Sequence, residues 1–65
     1  MLINEKNTPE TLMRIPQVAQ YLNISQSMTY RLVQNGDLPA VRVNSMVRVR
    51  PADLQAFIQR HLSGG

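Results

Sequence analysis

Cysteine is absent from the 65 residues of the chain. That absence removes disulfide bridges and thiolate zinc sites, the usual aids to a domain this small. Stability must therefore come from apolar packing or from a partner. At this length one domain is expected, and folding hides only about 60% of the surface that an unfolded chain exposes. No apolar run approaches the roughly 18 residues of a membrane helix, and no charged-then-apolar leader is visible. The expectation is a soluble, cytoplasmic domain with no membrane partner.

Groups suited to catalysis are equally scarce. The single histidine, His61, sits near the end of the last helical segment, where capping or packing accounts for it. The four carboxylates, Glu5, Glu10, Asp37 and Asp53, are scattered along the chain. No nucleophile–base pair, phosphate-cradling glycine loop or metal-ligand cluster is present. Neither an enzyme nor a catalytic residue, metal site or cofactor is expected.

Basic charge is what the chain does have. Seven basic residues stand against four acidic ones, a net charge of +3 with a pI near 10.2. Apart from Lys6 the basic residues are all arginine, whose planar fork fits phosphate and guanine edges. Arg42, Arg48 and Arg50 lie close together, with no acid between Asp37 and Asp53. Such a cluster reads either as a solvated strand face or as a footprint for a polyanion.

Periodicity divides the chain into an arm over residues 1–11, a domain over 12–62 and a disordered end at 63–65. Ile15, Val18, Ala19 and Leu22 recur at helical spacing, with Pro16 in the first turn and Asn23 suited to a left-handed stop. Ser25 is a good N-cap for a second helix over Gln26 to Asn35, closed by Gly36. Met28, Thr29, Leu32 and Val33 form its inner face, and Ser27, Tyr30, Arg31 and Gln34 its outer one. Beyond Pro39 the period falls to two. Val41, Val43, Val47 and Val49 alternate with Arg42, Arg48 and Arg50 around the loop Asn44-Ser45-Met46. That pattern predicts a ribbon with a valine face and an arginine face. A third helix opens at Pro51, with Asp53 in its first turn and a buried stripe of Leu54, Phe57, Ile58 and Leu62. The fold class is mainly α with a small two-stranded β-wing.

Two short helices separated by Asn23-Ile24-Ser25 match a helix-turn-helix unit, and an arginine-bearing ribbon follows it as a wing would. The outer face of the second helix carries side chains that donate hydrogen bonds to phosphates and base edges. Ordinary solvent exposure is the alternative reading of that face.

Residues 12–58 resemble the excisionase-type, MerR-like winged helix-turn-helix domain. The stretches VAQYLNIS, TYRLVQNGDLPAVRV and RVRPADLQAFI carry the resemblance in order and spacing. It implies a second helix that enters the major groove and a wing that grips backbone or minor groove. Gln26, Ser27, Tyr30 and Arg31 then read double-stranded DNA, with Gln34 beside them on the outer helix face, while Arg42, Asn44, Ser45, Met46 and Arg48 belong to the wing. Three positions depart from the pattern. Arg14 stands where Ser or Thr usually caps the first helix, Gln26 replaces a basic residue, and the wing tip Asn44-Ser45-Met46 is uncharged.

MerR-type regulators continue into a dimerisation helix and an effector pocket, which this chain lacks, so no small-molecule effector is expected. The resemblance implies a nucleoid-associated excisionase, a recombination directionality factor. Such a protein self-associates on DNA, bends attachment sites cooperatively and promotes integrase-mediated excision of a mobile element, with a cognate integrase as a further partner. A small phage or plasmid transcriptional regulator is the alternative. A protein-interaction module without DNA affinity is the second alternative.

Overall fold

The structure, a computed structural model, describes residues 11–62. Of the arm expected over residues 1–11, residues 1–10 lie outside the described residues, as does the end at 63–65. Strand β1 (Met13–Arg14) leads into helix α1 (Ile15–Leu22), and helix α2 (Gln26–Gln34) follows after a three-residue turn. Strands β2 (Val41–Val43) and β3 (Met46–Val49) form a hairpin, and helix α3 (Pro51–Arg60) completes the order. This is a winged helix-turn-helix.

Local chemistry explains where each helix begins and ends. At the start of α1 the Arg14 backbone N–H donates to Gln17 Oε1 at 2.8 Å, so the third helical residue supplies the cap. Asn23 adopts φ 60°, and its N–H and that of Ile24 donate to the carbonyls of Gln20 and Ala19 at 3.2 and 2.9 Å. This is a Schellman closure, with asparagine in the left-handed position that glycine usually fills. Helix α2 closes in the same way: Gly36 at φ +83° donates to Val33 O, and Asp37 donates to Leu32 O.

The sheet has three strands in the order β1-β3-β2, all antiparallel. Strand β1 is a departure from the two-stranded wing expected above, because two residues carry no readable alternation. The hairpin departs further. Its turn has two residues, Asn44 and Ser45, and Met46 already belongs to β3, paired with Val43. A three-residue loop would have placed Val43 opposite Val47. Losing one loop residue shifts the register by one and exchanges faces along a strand. Arg42 consequently pairs with Val47, and Val41 with Arg48. The inner face carries Met13, Arg42, Val47 and Val49; the outer face carries Arg14, Val41, Val43, Met46 and Arg48. A valine face opposite an arginine face does not exist.

Ile15, Val18, Leu38, Val49, Leu54 and Phe57 form the core, with Leu22, Leu32, Val33, Ala40, Val47 and Ile58 packed around it. Two residues expected inside lie outside. Met28 is 42% exposed, because at about 100° per residue Thr29, Leu32 and Val33 fill the inward arc of α2 and Met28 falls beyond its edge. Leu62 is 65% exposed, because α3 ends at Arg60 before the stripe reaches it. His61 closes α3 as anticipated, with Nδ1 2.9 Å from Phe57 O and its ring 4.2 Å from the Phe57 ring.

Thermal or urea melts check this packing. Leu38 is fully buried, so Leu38→Ala should cost about 2–5 kcal/mol, a large share of a small domain's stability. Met28→Ala should cost under about 0.5 kcal/mol, as a surface change does. Equal losses in the two variants would place Met28 in the core and refute the helix orientation described here.

Candidate nucleic-acid interface

The turn between α1 and α2 decides which face of α2 looks outward. Ser25 Oγ accepts from the Met28 N–H at 3.0 Å, and its carbonyl accepts from both the N–H and the hydroxyl of Thr29 at 3.1 and 3.0 Å. Thr29 is fully buried, and the bond to Ser25 O satisfies its hydroxyl there. With Thr29 anchored inward, Ser27, Tyr30, Arg31 and Gln34 gather on the opposite arc, all exposed. Gln26, the first residue of α2, is exposed beside them. Tyr30 is 45% exposed, so an aromatic side chain stands in solvent on this otherwise polar surface. The helix thus presents hydroxyl, amide, phenol and guanidinium groups, a set able to bond both phosphates and base edges.

On the wing, Asn44 and Ser45 occupy the turn and Met46 opens β3; all three are exposed. Asn44 takes φ 56°, the positive value that a two-residue turn requires at its first central position. Arg42 and Arg48, expected together, lie on opposite faces of the sheet. Arg42 is exposed at the rim of the inner face on the edge strand β2. Arg48 is half-buried on the outer face and leans along β3, donating to Val47 O at 3.0 Å and approaching Met46 Sδ at 3.5 Å.

The arginines divide into engaged and unengaged. Arg50 makes a two-pronged ion pair with Asp53 at 2.6 and 2.9 Å, holding the start of α3. It therefore serves the fold rather than the wing's charged face. Arg60 donates to Asp37 O at 2.7 Å and ties α3 to the loop after α2. Among the described residues, the side chains of Arg14, Arg31 and Arg42 make no hydrogen bond or ion pair. Sequence spacing does not mark Arg14 as a surface residue; its departure from the usual cap residue is the signal that points there. No group of three or more metal-binding side chains converges among the described residues, and no described helix is long and apolar enough to cross a membrane.

A two-helix unit with an exposed polar second helix and an adjoining wing defines a class, and comparison with known proteins agrees. The model of the helix-turn-helix domain family, the excisionase-type family anticipated above, matches residues 12–62, and the chain belongs to that family. Two proteins of Mycobacterium tuberculosis, from strains CDC 1551 and H37Rv and each named "Putative DNA-binding protein", are 47% identical to it over 38 residues. That segment covers 58% of this chain and 49% of each relative, so the match spans about half of the relatives' length. No solved structure matches the chain significantly.

Because Ser25 anchors the start of α2, Ser25→Ala should cost about 1 kcal/mol of stability, the usual value of an N-cap. A urea titration measures it. No change in the midpoint would mean that water replaces the cap fully and that Ser25 does not set the helix.

Proposed function

We propose that the chain is a sequence-specific binder of double-stranded DNA. Helix α2 enters the major groove, with Gln26, Ser27, Tyr30, Arg31 and Gln34 meeting base edges and phosphates, and Asn44, Ser45, Met46, Arg42 and Arg48 act from the wing. One observation carries this reading: the outer arc of α2 is wholly exposed and polar, on a helix whose orientation the Ser25–Thr29 contacts fix. Membership of the helix-turn-helix family and the names of the mycobacterial relatives support it. The working charge is small. Of the basic side chains described, Arg50 and Arg60 are committed to internal contacts, so each copy neutralises few phosphates and binds with modest affinity.

Modest single-copy affinity suits a protein that works as several copies. Its role in this reading is that of an excisionase, in which neighbouring copies self-associate on attachment-site DNA, bend it and favour excision by an integrase. Bending a short site costs on the order of 1–6 kcal/mol, which several bound copies supply together. The place of action is the cytoplasm, at the nucleoid, and the work is architectural rather than enzymatic.

Gel-shift titration tests this, using a duplex selected from random sequence, circularly permuted probes and two salt concentrations. The expected result is stepwise, salt-sensitive complexes whose mobility depends on where the site lies. A single unbent complex would replace the excisionase by a small transcriptional regulator. No shift even at low salt would overturn DNA binding in favour of a protein-interaction module. In the same assay Arg31→Ala should weaken binding and lower the salt slope by about 0.9, one phosphate's worth, with melting unchanged. Unaltered binding would remove α2's outer face from the interface.

A further inference from the structure

Arg14 breaks two local rules at once. It occupies the N-cap of α1, where a serine or threonine oxygen would accept a first-turn N–H; a guanidinium has no acceptor to offer. The third helical residue is already Gln17, bonded back to the Arg14 N–H, so half of a capping box stands complete and only the cap side chain is unsuited. The same residue lies directly across from Arg48 on the outer face of the sheet. Like charges at facing positions on neighbouring strands repel. Nothing acidic among the described residues answers them, since Asp53 is held by Arg50 and the outer face otherwise carries Val41, Val43 and Met46. Arg48 has settled onto its own strand through Val47 O and Met46 Sδ, whereas the exposed Arg14 side chain has no described partner.

A residue that costs the fold on both counts has its compensation outside the fold. We infer that Arg14 and Arg48 form a two-arginine site for a phosphate of the DNA backbone on the outer face of the β1–β3 pair. The inference rests on the proposed DNA binding and adds to it a contact from the strand before the first helix, separate from α2. Two facing guanidiniums offer many N–H donors to one phosphodiester, and a bound anion turns their repulsion into shared attraction.

The substitution Arg14→Ser separates cost from gain, because it completes the capping box and removes the facing charge. The full chain should melt at a higher temperature, yet bind the selected duplex roughly tenfold more weakly, as loss of a charge-assisted bond does. Its salt slope should fall by about 0.9, the share of one phosphate. Arg14→Gln should lower the slope equally, and Arg14→Lys should keep it, since a point charge suffices for counterion release. An unchanged slope in Arg14→Ser and Arg14→Gln, alongside a loss in Arg31→Ala, would overturn this site and leave DNA binding intact. A lower melting temperature in Arg14→Ser would give Arg14 a structural role and overturn the site too. If the unmodified chain shifts no duplex, the failure lies in the functional reading itself.

Discussion

The contact between Ser25 and the first turn of α2 is the constraint on which the surface depends. One residue caps α2 through its hydroxyl and receives the buried Thr29 hydroxyl on its carbonyl. Asn23, in its left-handed conformation, has just closed α1 two residues earlier. The two helices therefore meet at an angle set by backbone hydrogen bonds rather than by a large core. That matters in a domain with few buried side chains, where apolar packing alone leaves helix rotation loosely determined. With Thr29 fixed inward, the polar arc from Ser27 to Gln34 has only one direction to face.

The wing depends on a similarly local choice. A positive φ at Asn44 lets the chain reverse in two residues, and that length sets the register of β2 on β3. Register in turn decides which arginines share a face. It separates Arg42 from Arg48, while the distinct pairing of β1 with β3 puts Arg48 opposite Arg14. The like-charged pair arises from the docking of β1 on β3, and it gives the wing a basic corner beside an apolar tip of Val43 and Met46, each nearly half exposed.

Much of this was legible in the sequence, and the reasons differ by element. The boundaries of α1 and α2 rest on residues with strong single-position chemistry: Pro16, Asn23, Ser25 and Gly36. The outer face of α2 follows from helical spacing alone. Register was illegible because alternation reports which residues share a face within one strand, not how two strands align. A difference of one loop residue between Asn44-Ser45 and Asn44-Ser45-Met46 reverses the answer. Strand β1 was illegible because two residues hold no period. Leu62 continued the apolar spacing of α3 on paper, but the helix stops at Arg60 and His61 closes it by its own contacts with Phe57. The proposed recombination role has no residue signature within the domain, because DNA bending would be a property of the complex.

The most direct test of the central claim, that α2's outer arc and the outer face of the sheet meet DNA together, is an amide chemical-shift titration of the labelled chain with the selected duplex. The account predicts that shifts gather on Ser27, Tyr30, Arg31, Gln34 and the β1–β3 pair, while the exposed positions Gln55 and Gln59 of α3 stay still. Shifts centred on α3, with α2 unmoved, would contradict it.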